Sequence, residues 1–418
     1  MTPRGIFLLF TGLLIFTVSL VFQKWALSLL SVPFLLPVLL AIHRRPVDPS
    51  LLQVRRELPS TSTFVRDSIQ VGISVKNLSE HDVLLEVREA VPGNLRVSGI
   101  FPYVLLALKP HQEVRFNYTV TSNERGHFSI GPLEVWQLDP FLVTRRRVVV
   151  VPEDKVVFLP CLGRISYLEL PHARTTHMAG ETPSNSPGEG YEFIEVTEAR
   201  GIAGKRINWK AFAKSRKIYV NMYRVEKSLE CLVILDVPRS RLLGNELTSI
   251  LVDRMVELTA TLLFYLSKRG HRVSLLVIGS YRDWVKSGYG KRHMLRMLHA
   301  LASVRSLEYE QHVDYSEVFQ LTAPFLTKTG SLIFVISTFT EPSGNNVFRE
   351  AVSRGYTVVP VPVNPFKTVE NMCKGEKRKI VSRLGEIWEK GILDIMSSYK
   401  GLKVDFQLVR LVEAALGA

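Results

Sequence analysis

Hydrophobic and polar positions change rhythm three times along the chain. Ile6 to Phe22 is apolar apart from threonine, serine and glycine, and Trp25 to Ile42 is nearly so, with only Gln23 and Lys24 between the two runs. Each run approaches the ~20 residues that an apolar helix needs to cross a bilayer. After Pro46 the pattern becomes alternation: SIQVGISV from Ser68, VLLEVREAV from Val83 and EVRFNYTV from Glu113 each read with a period near two. These are half-buried strands, and the turn-forming residues between them at 77–82, 92–94, 110–111 and 123–126 give sandwich-like spacing. After Lys227 the rhythm changes again, to short continuous apolar runs separated by helical periodicity. Cys231 to Leu235, Val273 to Ile278, Leu332 to Ile336 and Thr357 to Val363 read as buried strands. Leu247, Leu251, Met255, Leu258, Leu262 and Leu266 share one face of a helix, and Arg292 to Val304, Tyr315 to Leu326 and Asn346 to Arg354 read as further helices. Strand and helix in alternation imply a mostly parallel, doubly wound α/β sheet. From Arg378 to Leu416 the chain reads as mostly helical, and basic at its start.

The expected organisation is therefore multidomain: a transmembrane helical hairpin over 1–45, a β-sandwich over 46–160, a loop and basic segment over 161–227, and a doubly wound α/β domain over 228–418. At 418 residues the chain can bury several cores, and 46% hydrophobic with 22% charged residues excludes a disordered protein. Cationic residues flank both apolar runs, with Arg4 before the first and His43, Arg44 and Arg45 after the second. Lys and Arg favour the cytoplasmic side, so two crossings place both ends, and the soluble domains, in the cytoplasm. A cleaved signal peptide fits less well, because a second apolar run follows at once with no Ala-x-Ala site. Pro33 and Pro37 leave a re-entrant second segment open. The three cysteines are widely spaced without a CxxC pattern, which indicates neither a disulfide framework nor a zinc site.

The net charge of +14 favours an acidic partner. Its densest part runs from Arg200 to Lys217, with Lys205, Arg206, Lys210, Lys214 and Arg216 but no acid, interleaved with Trp209 and Phe212. Two readings stand: Ile207, Trp209 and Phe212 are core anchors beneath exposed cations, or they belong to a partner surface, where Trp and Arg concentrate binding energy. A third cationic cluster, Arg145 to Arg147, is either a solvated strand end or a lipid or partner patch. His172 to Gly190 is rich in Pro, Gly, Ser and Thr and reads as a long exposed loop. Its His172, His177, Glu181 and Glu189 match no ligand spacing.

Ligands of doubly wound sheets gather beyond the carboxyl ends of the strands, and Asp236 ends the first of them. The residues after it, Val237-Pro238-Arg239-Ser240, contain no glycine, so a phosphate cradle is excluded. No GxSxG, HExxH or cysteine–histidine arrangement occurs. A concealed active site around Asp236, Asp314 and Ser337 has no substrate class attached to it.

The middle of the chain resembles the domain-of-unknown-function 58 family. The residues that carry the resemblance are Gly188-Glu189-Gly190-Tyr191-Glu192-Phe193, Gly201, Lys205-Arg206, Ile207-Asn208-Trp209-Lys210, Ala211, Ala213 and Glu226, with Arg125 to Leu133 and Asp139-Pro140-Phe141 upstream. The resemblance implies a membrane-anchored protein whose α/β domain is similar to the von Willebrand factor A fold, and a MoxR-type AAA+ ATPase as partner. It also implies a divalent-cation site of the pattern Asp-x-Ser-x-Ser, completed by a threonine and an aspartate from later loops. Here Asp236 and Ser240 keep the outer positions, Pro238 replaces the middle serine, Thr338 stands where the aspartate is expected, and Ile202 replaces the acid after Gly201. The expected site is thus degenerate, with no cofactor beyond a weak Mg²⁺.

The expectation is a non-enzymatic, two-pass membrane adaptor that docks its ATPase through Arg200, Lys205, Arg206, Asn208, Trp209 and Lys210 and binds no nucleic acid. The alternative is a cation-dependent ligand-binding A-domain facing outside the cell.

Overall fold

Thr2 and Pro3 start the first helix, α1 (Pro3–Val21), the threonine side chain accepting from Gly5 N and the proline sitting where its missing N–H costs nothing. In this computed structural model the described residues are 1–43, 46–99, 103–163, 165, 182–188, 192–198, 207–227, 229–239, 244–307, 319, 322, 326, 331–340, 342–370 and 373–397. The 19 residues of α1 span ~28 Å, long and apolar enough to cross a bilayer. The second apolar run is not one helix. It divides into α2 (Trp25–Leu29) and α3 (Val32–His43), broken at Leu30 and Ser31. The Ser31 hydroxyl bonds back to Ser28 O, and Pro37 cannot donate within α3. At 12 residues α3 reaches only ~18 Å. It runs back along α1: a Cβ on Gly12 would meet Leu35 Cδ2 at 2.7 Å, and Val38 and Ala41 pack with Leu8 and Leu9.

The alternating region forms three sheets. Strands β1 (Leu52–Glu57), β3 (Ser68–Asn77), β7 (Glu113–Thr121) and β5 (Arg96–Gly99) pair antiparallel in that order. A second sheet runs β10 (Arg145–Val151), β9 (Leu133–Leu138), β4 (Val83–Glu89), β6 (Tyr103–Leu108). A small third sheet joins β2 (Ser62–Phe64), β11 (Asp154–Leu159) and β8 (Gly126–Ile130). Ile69, Val71, Ile73 and Val75, the inward set of β3, share one core with Leu85 and Val87 of β4 and Leu133 and Val135 of β9.

One polar cluster is built into this region. The Arg56 side chain, 1% exposed, lies 2.5 Å from Glu89 Oε1 and 2.7 Å from Asp154 Oδ2, and Tyr118, in the core, donates its hydroxyl to Glu89. Burial pushes the Glu89 carboxyl up, against the lowering pull of Tyr118 and Arg56. Where α1 begins, Thr2 N donates to Val143 O at 2.8 Å and the Thr2 hydroxyl to Leu142 O at 2.6 Å. Asp139 holds that loop by accepting from Phe141 N and from the Thr144 amide and hydroxyl. The chain divides into two compact units between Leu159 and Pro160.

The second unit carries two sheets. In the smaller, β14 (Tyr219–Lys227) lies between β12 (Thr182–Gly188) and β13 (Glu192–Glu198), antiparallel to both. The loop expected over 172–190 thus contains a strand, whose Pro183 and Pro187 suit an edge position. His172, His177, Glu181 and Glu189 lie outside the described residues. The larger sheet has the order β17 (Asp283–Gly288), β16 (Arg272–Gly279), β15 (Glu230–Val237), β18 (Ser331–Ser337), β19 (Thr357–Pro362). All neighbours are parallel except β17 with β16.

Six helices belong to this unit: α4 (Trp209–Ser215), α5 (Asn245–Lys268), α6 (Lys291–Ser303), α7 (Pro342–Ser353), α8 (Pro365–Glu370) and α9 (Glu376–Ser397), counted among the described residues. Leu232 and Ile234 of β15 share a core with Val347, Phe348 and Ala351 of α7 and Ile392 of α9. The alternate residues Cys231, Val233 and Leu235 are equally buried, and α5 packs on β15, β16 and β18 without entering that core, so it covers the opposite face. The helix expected over 315–326 falls mostly outside the described residues.

His271, wholly buried between α5 and β16, accepts from Leu229 N at 3.4 Å. Burial first, then the Arg269 charge, lowers its pKa to about 4. A depressed histidine contributes stability above its unfolded value of 6.5 that is lost as the pH falls through the folded value. Denaturant melts should show this unit losing about 3 kcal/mol between those limits, and a His271→Asn variant should show a flatter profile. In the sandwich, Tyr118→Phe leaves the buried Glu89 short of a donor, and thermal melts should show a loss of about 1–3 kcal/mol.

Candidate functional site

Two places received the candidate residues: the carboxyl edge of the larger sheet, and the basic segment around α4. At the sheet edge, the chain leaves β15 for β16 on one side and returns to β18 on the other, so Asp236 sits at the point where the strand order reverses. Its side chain is on the face shared with Ile234 and Ile278, and the residue is only 3% exposed. The Ser337 hydroxyl, at the end of the neighbouring strand, donates to Asp236 Oδ2 at 2.6 Å and accepts from Phe339 N at 2.9 Å. Gly279, with φ +91°, ends β16 beside them. A Cβ there would meet Val237 O at 2.4 Å and Asp236 Oδ1 at 2.9 Å, so only glycine allows this close approach.

The remaining polar groups of this edge are also turned inward. Pro238 offers only its carbonyl, which accepts from the Ser280 hydroxyl at 2.9 Å and the Ser306 hydroxyl at 2.6 Å. Thr338, 2% exposed, shares a hydrogen bond with the Thr340 hydroxyl at 2.8 Å, and its carbonyl accepts from Trp388 Nε1 of α9 at 3.1 Å. Asn364, after β19, caps the start of α8 through Phe366 N and Lys367 N and donates to Gly385 O of α9. Asp236 and Ser337 are thus brought together, whereas Ser240 and Asp314 lie outside the described residues.

A hard cation such as Mg²⁺ wants about six oxygen ligands in near-octahedral array. The described residues do not fit it: Asp236 is buried and holds Ser337, Pro238 brings no hydroxyl, and Thr338 is engaged with Thr340. Nor does any group of three or more His, Cys, Asp or Glu side chains form a candidate metal cluster among the described residues. Ser337 is a poor nucleophile for the same reason, since its hydroxyl is wholly buried and committed at both ends.

The basic segment differs in kind. Ile207 bridges to Val220, and Asn208 N donates to Tyr219 O at 2.8 Å, so the chain enters α4 pinned to β14. Asn208 then caps the helix, its Oδ1 accepting from Ala211 N at 3.0 Å while its Nδ2 donates to Asn221 Oδ1 at 2.8 Å. Arg216 closes the helix in the left-handed region at φ +55°, its N–H returning to Phe212 O. Trp209 is 69% exposed and Phe212 38%, and the two rings meet edge to face at 6.1 Å. Lys210, Lys214, Arg216 and Lys217 are exposed around them, Lys217 pairing with Glu198 at 3.1 Å.

Trp209 and Phe212 are therefore not core anchors: among the described residues α4 packs mainly on β14, and both rings stay exposed. Of the six candidate partner residues, Asn208 positions the helix and Trp209 and Lys210 face solvent. Arg200, Lys205 and Arg206 lie outside the described residues.

Residues 200–368 match the family model described as Protein of unknown function DUF58. The DUF58 match covers both α4 and the sheet edge with Asp236. No curated protein matches the chain. Among solved structures the chain is similar to a FixG-related protein from Vibrio parahaemolyticus, at 11% identity and TM-score 0.19 over 27% of this chain and 98% of that one. It is also similar to native alpha-2-macroglobulin from Escherichia coli, at 18% identity and TM-score 0.22 over 26% of this chain and 16% of that one. The cupredoxin domain of amoB from Nitrosocaldus yellowstonii gives 8% identity and TM-score 0.21 over 27% and 90%. At such TM-scores these likenesses carry no argument about the fold or its use.

A ligand bound at 100 times its Kd stabilises a protein by about 2.7 kcal/mol. Millimolar Mg²⁺ should give no such shift in the melt of the wild-type chain. Asp236→Ala should destabilise the α/β unit by about 1–3 kcal/mol with or without the cation, because it strips Ser337 of its acceptor. A Mg²⁺-dependent rise that Asp236→Ala abolishes would reverse this assignment.

Proposed function

We propose that the chain is a membrane-anchored, non-enzymatic interaction protein of the DUF58 family that presents α4 to a cytoplasmic protein partner, a MoxR-type AAA+ ATPase. The observation that carries this reading is Trp209, 69% exposed on a short helix that Asn208 holds in place. Exposing an indole costs the free protein hydrophobic stabilisation, and Trp with neighbouring cations is the composition of an interface centre. The identity of the partner comes from the family resemblance.

Support for the other parts of the reading is more general. The larger sheet reverses its order about β15, which suits a von Willebrand factor A-like doubly wound domain. Because α3 returns toward the start of α1, and Arg4 precedes the first apolar run while Arg44 and Arg45 follow the second, both termini of the helical part favour the cytoplasmic side. The buried Asp236–Ser337 pair favours a structural role for the sheet edge over cation-dependent ligand binding.

Full-length chain in lipid nanodiscs, titrated with the MoxR-type ATPase of its own source, tests the proposal. Trp209→Ala should weaken binding by about tenfold or more, the loss expected of an interface hot spot, without lowering the melting temperature. Unchanged affinity in this variant and in Lys210→Glu would remove α4 from the interface.

A further inference from the structure

One face of α9 holds the fold together, and beside it runs an aliphatic stripe that stays exposed. Gly385, Trp388 and Ile392 turn toward the sheet: Ile392 enters the core, Trp388 packs on it and bonds Thr338 O, and Gly385 O receives Asn364. Alongside that face Ile380, Leu384 and Ile387 are 60%, 40% and 61% exposed. Their spacing of four and three residues stacks them in one stripe along the helix. Lys377 borders the stripe on one flank and Lys379, Arg383 and Lys390 on the other, all exposed. The pattern is that of a helix lying in a membrane interface, with aliphatic residues inward and cations at headgroup height.

We infer that α9 is a second membrane contact, which lays Ile380, Leu384 and Ile387 into a bilayer surface while its cations meet anionic lipid phosphates. Charge complementarity is one argument, since Lys377, Lys379, Arg383 and Lys390 outnumber Glu376 and Glu386 among the exposed residues bordering the stripe. Tethering is the other. Three aliphatic side chains make too small a patch to repay the entropy of capturing a free protein. A chain already held by α1 meets the bilayer at a high effective concentration, where so small a patch suffices. The inference is independent of the α4 reading and rests only on α1 entering the membrane.

The full-length chain, with Cys161 and Cys373 changed to serine, is reconstituted into vesicles and spin-labelled at Ile387→Cys or, as an aqueous control, Glu386→Cys. Buried Cys231 stays unlabelled. Accessibility to oxygen and to a water-soluble nickel chelate is compared in phosphatidylcholine alone and with about 30% phosphatidylglycerol, an anionic surface. In the anionic vesicles the label at 387 should become severalfold less accessible to nickel and more accessible to oxygen. The label at 386 should remain aqueous, and Lys379→Glu with Arg383→Glu should cancel the change. Recovery of all variants in the vesicle fraction separates this result from a failure of α1 to insert. Equal nickel access at 387 on both lipids would overturn the inference. Shielding of 387 from both reagents on both lipids would also overturn it, in favour of a protein contact.

Discussion

The central strand β15 is buried on both faces, and that burial governs what the larger sheet can do with its polar residues. Every side chain from Cys231 to Val237 is in the interior, so a carboxylate on this strand must find partners among protein groups or raise the cost of folding. Asp236 finds the Ser337 hydroxyl, and Ser337 in turn finds Phe339 N, which fixes the first turn after β18. Gly279 lets β16 close against the same carboxylate. The position where a doubly wound sheet usually receives a ligand has here become a clasp between neighbouring strand ends. Pro238 adds no side-chain donor, and its backbone carbonyl ties down two serines.

Against that closed edge, α4 is open. A helix of seven residues cannot be stable alone, so its geometry comes from the attachments at its ends. Asn208 supplies the first, capping the helix and bonding Asn221 on the strand behind it, and Arg216 closes the other end through its N–H to Phe212 O. The consequence is a Trp–Phe pair held out to solvent among cations, a state that stability by itself does not favour. Within the DUF58-matching stretch the polar residue of Asn-Trp-Lys is structural, and the aromatic one is left exposed.

Strands buried on both faces were legible as continuous apolar runs, and the inward set of β3 was legible as alternation, because burial acts directly on the pattern there. Strands without such a pattern were illegible, β12 and β17 among them. In β12 two prolines, two serines and a glycine read as loop, yet an edge strand tolerates prolines whose missing N–H faces away from the ladder. In β17 the run DWVKSG is only partly buried at a sheet edge, so composition exerts little pressure on it. The fate of Trp209 was illegible for another reason: spacing shows which residues share a face, and only the tertiary structure shows whether anything covers that face. The stripe on α9 carries the same ambiguity, because Ile380 and Ile392 look alike in sequence and differ from 60% to 4% in exposure.

The N-terminal part follows from the same accounting of backbone groups. In a bilayer every N–H and C=O must be satisfied within the protein, and α1 meets that demand over its full length. The second run does not: it breaks at Leu30 and Ser31, just ahead of Pro33 in the first turn of α3, while α3 continues through Pro37 with one donor missing. Around the break the Ser28 and Ser31 hydroxyls bond back to the carbonyls of Trp25 and Ser28. Where the helices meet the sandwich, Asp139 organises the loop that receives Thr2, so the start of α1 is fixed by hydrogen bonds to Leu142 and Val143. A helix fixed in this way is tied at its first residues to the sandwich. Its Asp139-Pro140-Phe141 segment thereby has a structural reason to exist, since the aspartate is the residue that shapes the seat.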